Sequence, residues 1–296
     1  MRGKVVLAGG TGFIGQYFEQ KFMKQGYEVK IISRQHQHIS WNDQKAIQEA
    51  LEGSEMLINL AGRTVNCRYN EQNKREIMNS RIETTTILGN AVEACQSPPR
   101  LWVNSSTATI YRHAEDRPMT EEKGEIGEGF SVDVAKAWEE AFFSYNLLKT
   151  RQVALRIAIV LGPSGGVMTP YMNLVKYGLG GKQGSGKQMF SWIHIEDLFN
   201  IVRFIQEHDH LSGVFNCSAP EPVSNQELMK TLREKMQKPF GLPAMKWMLE
   251  LGAAFLRTET ELVLKSRWVL PDRLQREGYH FTYHTLNQAL DNIFAN

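Results

Sequence analysis

"KVVLAGGTGFIG", residues Lys4 to Gly15, passes from a β-branched apolar run through a glycine-rich turn into an amphipathic segment. Gly9, Gly12 and Gly15 are spaced as G-x-x-G-x-x-G, and each has its own physical reason. Gly9 allows the tight turn, Gly12 lets backbone approach a pyrophosphate, and Gly15 lets helix and strand pack closely. A helix starting here points its free N–H groups and the positive end of its dipole at the loop, which favours a phosphate. Strand, loop and helix in this order predict a dinucleotide site, with Gly9, Thr11, Gly12, Phe13, Ile14 and Gly15 as its contacts.

Outward from this motif, short β-branched runs alternate with longer helical patterns. "YEVKIIS", "EMLINLAG", "RLWVNSS" and "QVALRIAIVLG" read as strands, and "QKAIQEALEG" and "EIMNSRIETTTILGNAVEAC" as helices between them. The expected fold class is α/β, a doubly wound parallel sheet with right-handed crossovers. After Gly162 the pattern changes to a glycine-rich stretch, and from about Glu221 the chain reads as mostly helical, punctuated by Pro239, Pro243 and Pro271. The expected organisation is a dinucleotide-binding domain formed by residues 1–164 and 190–220. A smaller, mostly helical substrate lobe is expected from residues 165–189 and 221–296.

Bulk properties exclude several classes. The chain has 296 residues, enough to bury a sizeable core, and its net charge of +2 offers no case for a nucleic-acid partner. Cys67, Cys95 and Cys217 are far apart and odd in number, which fits a reducing compartment rather than a disulfide framework or zinc site. "LPAMKWMLELGAAFL" is too short and too charged to span a bilayer. A strand that begins almost at residue 1 leaves no room for a signal peptide, so the expectation is a cytoplasmic protein without membrane association. "RQHQHIS" carries His36 and His38 without acidic or thiolate companions, so no metal site is expected.

The end of the second strand bears on cofactor choice. An NAD site usually places an acid there for the ribose 2′-hydroxyl. Here "IISRQ" supplies Ser33 and Arg34 instead. A guanidinium can grip a 2′-phosphate bidentately, which favours NADP(H). Further on, "GEGFSVDVAKAWEEAFF" (Gly127–Phe143) reads as a helix carrying Lys136, with Val132 one turn earlier on the same face.

With these motifs in place, the sequence resembles the atypical epimerase-like family of the extended short-chain dehydrogenase/reductase superfamily (NAD-dependent epimerase/dehydratase). The resemblance spans nearly the whole chain and is carried by "GGTGFIG", "INLAG", "SRIETT", "RIAIVLGPSGG", "GLGGKQGSGKQMFSWIHIEDL" and "VLPDRLQREGYHFTYHTLNQAL". It implies the NAD(P)-binding Rossmann fold. It also implies that Ser33 and Arg34 hold the adenosine 2′-phosphate, that Leu60, Ala61 and Gly62 border the adenosine, that Glu76 and Arg81 approach the cofactor, and that Val160 lies beside the nicotinamide.

In that superfamily a serine or threonine after the fourth main strand joins a tyrosine and a lysine four residues apart. The lysine binds the nicotinamide ribose, and its charge lowers the pKa of the tyrosine that exchanges a proton with substrate. By the resemblance Thr107 takes the hydroxyl position and Lys136 the lysine position, and Val132 stands where the tyrosine belongs. Tyr111 either faces the site as a substitute or packs against the sheet edge. His194 is expected to bond near the start of the next helix. The stretch Gly178–Gly186, with Lys182, Lys187 and Gln188, is either a flap over the cleft or a solvated hairpin.

Two functions compete. One is an NADP(H)-dependent oxidoreductase or epimerase acting on a small substrate such as a nucleotide sugar. The other is a non-catalytic NADP(H)-binding regulator or redox sensor. Monomer and homodimer both stay open.

Overall fold

The computed structural model describes residues 2–163, 165–244 and 264–295. The first half builds β1 (Arg2–Ala8), α1 (Phe13–Lys24), β2 (Tyr27–Ser33), β3 (Ile39–Ser40), α2 (Gln44–Leu51) and β4 (Met56–Asn59). The long helix α3 (Glu71–Glu93), β5 (Leu101–Thr107), α4 (Phe130–Phe143) and β6 (Arg151–Ile157) follow. With β10 (Gly213–Cys217) these strands form a seven-stranded sheet in the order β10-β6-β5-β4-β1-β2-β3. Every pairing in it is parallel. This is the doubly wound, Rossmann-like arrangement expected from the alternation of strand and helix.

Burial on both faces explains the unbroken apolar strands. Along β1, Val5 and Leu7 join a core with Phe18, Phe22 and Phe199, and Val6 and Ala8 join another with Ile47, Leu88 and Trp102. Successive strand residues point to opposite faces, so a sheet covered twice needs apolar residues at every position.

The rest of the chain forms β7 (Ile159–Leu161), α5 (Met168–Lys176), β8 (Met189–Phe190), β9 (Trp192–His194) and α6 (Ile195–Glu207). Next come β11 (Val223–Ser224), α7 (Asn225–Lys235), α8 (Asp272–Arg276) and α9 (Leu286–Ala295). Helices α5, α7 and α9 share a second core through Tyr171, Leu228 and Leu286, closed by Trp192. The C-terminal region is thus helical. The stretch 245–263, which includes most of "LPAMKWMLELGAAFL", lies outside the described residues.

Two details depart from the sequence reading. "QVALRIAIVLG" is two strands: β6 stays in the main sheet to Ile157, and from Ile159 the chain pairs with β9 instead. The glycine-rich stretch is neither flap nor solvated hairpin. The Leu242 N–H donates to the Gly178 carbonyl and the Ala244 N–H to the Lys182 carbonyl. The Gln183 and Asn225 side chains pair, and Gln183 and Gln188 are both buried.

Candidate functional site: the dinucleotide cleft

Two of the motif glycines are held by the fold itself, Gly9 by the turn and Gly15 by packing. Gly9 sits at φ +77°, and a Cβ there would lie 2.7 Å from the Ala61 nitrogen. A Cβ on Gly15 would lie 2.5 Å from the Gly10 backbone, so this glycine is needed for packing. Gly12 differs: a Cβ there would meet nothing nearer than the Gly9 carbonyl at 3.9 Å. Nothing in the fold requires glycine at that position, whereas a phosphate approaching the start of α1 would. The helix has no side-chain cap and no acid in its first turn, so its own sequence places no anion at its N-terminus. The loop after β7 folds back over this turn, with Gly162, Gly165 and Gly166 packed against the Phe13 ring.

At the end of β2, Ser33 is 3% exposed. Its Oγ accepts the Gln35 N–H at 3.0 Å and lies 2.9 Å from His38 Nδ1. Arg34 is exposed beside it and lines a cavity of about 500 Å³ together with Arg63, Gln72, Arg75, Glu76, Asn79, Ser80 and Glu83. Glu76 is ion-paired with Arg63, whose Nη2 also donates to Asn73 at 3.0 Å. Leu60 and Ala61 follow β4, where the buried Asn59 side chain accepts the Ala61 N–H at Oδ1 and donates through Nδ2 to Asn104 at 2.7 Å and to Thr85 at 3.2 Å. Gly62 lies under the Arg81 guanidinium, which donates to the Arg63 and Ile77 carbonyls and stacks over Trp138 at 5.0 Å. Burial pulls the Arg81 pKa down to about 10, which leaves it charged at neutral pH. The fold therefore brings Gly12, Ser33, Arg34, Ala61, Glu76 and Arg81 to the ends of β1, β2 and β4 and the facing side of α3. The exposed Arg34 guanidinium gives this end a positive charge that suits a dinucleotide with an anionic adenosine end.

The opposite side carries the expected catalytic groups. Thr107 ends β5, and its Oγ1 accepts the Thr109 N–H at 3.1 Å. Lys136 is exposed on α4, and Val160 lies in β7 opposite Ile193. Val132 is 0% exposed and packs among Ala108, Ile110, Ala135, Ala158 and Val269. Tyr111 belongs to the same cluster, is 2% exposed, and its hydroxyl is fully engaged. It donates to Asn216 Oδ1 at 2.9 Å and accepts from Arg156 Nη1 at 2.9 Å. Arg156 is held in turn by both oxygens of Glu139 at 2.8 Å, and Ser106 donates to Glu139 at 2.5 Å. Burial raises the Tyr111 pKa against the opposing pull of Arg156. Of the two placements open to Tyr111, the structure has the packed one, with no free hydroxyl for a substrate. His194 caps α6, its Nδ1 accepting the Glu196 N–H at 3.2 Å, and burial lowers its pKa to about 4.

The family model for the NAD dependent epimerase/dehydratase family matches residues 5–218, and a domain of unknown function, DUF1731, matches residues 246–293. The chain belongs to the NAD dependent epimerase/dehydratase family. The human epimerase family protein SDR39U1 is 32% identical over 297 residues, covering 99% of this chain and 100% of that protein. YfhF of Bacillus subtilis is 30% identical over 303 residues, covering 98% of each. The crystal structure of the human protein with NADPH superposes at a TM-score of 0.90, covering 99% of both chains. A nucleoside-diphosphate sugar epimerase from Corynebacterium glutamicum is 25% identical with a TM-score of 0.80, covering 99% of this chain and 58% of that one.

Within this family member, sequence reasoning missed Arg63 and Arg75 as walls of the cavity. The signal for Arg63 was its position directly after "INLAG". Arg75 gave none, since an arginine on a polar helix face reads as solvated charge. Among the described residues no three potential metal ligands cluster, and no helix is long and apolar enough to cross a membrane.

Proposed function

We propose that this chain binds NADPH in preference to NADH and serves as an NADP(H)-dependent epimerase or oxidoreductase-like protein on a small substrate such as a nucleotide sugar. The observation carrying the cofactor reading is the end of β2, where Arg34 lines the cavity beside the buried Ser33 and no acid follows the strand. The human relative crystallised with NADPH and the Corynebacterium nucleoside-diphosphate sugar epimerase support cofactor and substrate class respectively. Arg34 grips the 2′-phosphate, the start of α1 receives the pyrophosphate at Gly12, and Lys136 holds the nicotinamide ribose with Thr107 nearby. When bound, NADPH supplies hydride-transfer chemistry. The proton that such transfer requires has no tyrosine source, because Val132 replaces it and the Tyr111 hydroxyl is engaged elsewhere.

That second observation favours the alternative of a non-catalytic NADP(H)-binding regulator or redox sensor. Titration calorimetry with NADPH and NADH tests the cofactor reading: Arg34→Ala lowers the preference, and an unchanged preference refutes it. NADPH oxidation against carbonyl compounds and nucleotide sugars separates the two functions. Turnover that is lost in Lys136→Ala supports the enzyme, and binding without turnover of any of them supports the regulator.

A further inference from the structure

We infer that Arg75 of α3 is the second guanidinium of the 2′-phosphate site and a determinant of NADPH over NADH selectivity. The inference rests on the cofactor reading above and extends it across the cavity. Arg34 approaches from the end of β2, and Arg75 lines the same cavity from the second turn of α3. A phosphate monoester carries a charge of about −1.5 to −2 at neutral pH, so one guanidinium leaves it under-compensated.

The cavity's other charged groups are already placed. Arg63 is taken by Glu76 and Asn73, so it cannot turn to a phosphate without breaking its ion pair. Glu83 lies eight residues beyond Arg75, about 12 Å along the helix axis, and so stands away from Arg75. Lys74, next to Arg75, is bonded to Glu71 at 3.1 Å and sits over the Phe130 ring. Among the described residues Arg34 and Arg75 have no carboxylate within ion-pair range, although both border the cavity. Two exposed cations left without acids, converging on one concavity from different elements, match a dianion and have no structural use for each other.

A neutral ribose 2′-hydroxyl would gain little from Arg75, so its removal should discriminate between the two cofactors. The test is titration calorimetry of the full chain with NADPH and NADH for wild type, Arg75→Ala, Arg75→Lys and Lys74→Ala. Arg75→Ala is expected to weaken NADPH by about tenfold, the worth of about one exposed charge-assisted hydrogen bond, with NADH unchanged. Arg75→Lys should recover part of that loss, and Lys74→Ala should match wild type. Equal weakening of both cofactors would mean a general or structural role and overturn the inference. So would unchanged NADPH affinity in Arg75→Ala beside a selectivity loss in Arg34→Ala, which would leave the cofactor reading standing. A wild type without NADPH preference would remove both.

Discussion

Replacing Tyr111 by phenylalanine deletes one oxygen from the centre of a buried polar chain. The ring stays, so no sizeable cavity forms. Asn216 Oδ1 loses the hydroxyl proton it accepts at 2.9 Å, while its amide still donates to the Leu270 carbonyl at 3.0 Å. Arg156 Nη1 loses its acceptor, although Nε and Nη2 keep Glu139. A buried group left unsatisfied costs about 1–3 kcal/mol, and here one neutral acceptor and one charged donor are affected together. The expected loss is about 3 kcal/mol, read as a lower urea midpoint with an unchanged slope. NADPH affinity should stay at the wild-type value, because the Tyr111 hydroxyl is spent inside the core on Asn216 and Arg156. If stability instead stays within about 0.5 kcal/mol while turnover collapses, the hydroxyl faces a substrate and the buried chain is misread.

Other substitutions probe separate parts of the same picture. Gly12→Ala should leave stability within about 0.5 kcal/mol and still abolish NADPH binding, whereas Gly15→Ala should destabilise by 2 kcal/mol or more, on the order of other overpacking changes; thermal melts with and without cofactor check both. Val132→Tyr should fail to create a catalytic tyrosine, because a ring forced into a filled apolar cluster costs about 1–3 kcal/mol; a melt showing wild-type stability would refute this. His194 should make the protein sensitive to acid. Its folded pKa of about 4 lies below the ordinary 6.5, so the unfolded chain binds more protons between those values. Stability is then full above about pH 6.5, falls by about 3 kcal/mol as pH drops to about 4, and levels off below. His194→Asn keeps an acceptor for the Glu196 N–H, and its denaturation midpoint should lack this component.

The sheet was legible because local signals and tertiary fate agree. "GGTGFIG" follows a strand and opens a helix, and alternation of strand and helix leads to parallel pairing. The break at Ala158 was not legible: the residues of "RIAIVL" all suit a strand, and the change comes from pairing with β9, more than thirty positions away. Tyr111 is similar. Its partners Asn216 and Arg156 are separated from it by 105 and 45 residues, so proximity to Thr107 in sequence suggested a site and proximity in space produced a core. Arg34 was readable because a motif fixes what stands at the end of β2, and Arg75 was not, since only the facing of α3 and β2 gives it a meaning.

The carboxylate of Asp197 on α6 receives the Thr282 and Tyr283 N–H groups at 2.8 and 2.9 Å and the Tyr279 hydroxyl at 3.1 Å, and Leu274, Tyr279 and Phe281 lie in the same core as β1. The tail is thus a keystone of the nucleotide-binding half as much as a part of the helical region. A boundary near residue 220 is no seam: a chain cut there would strand a buried carboxylate and uncover aromatic surface.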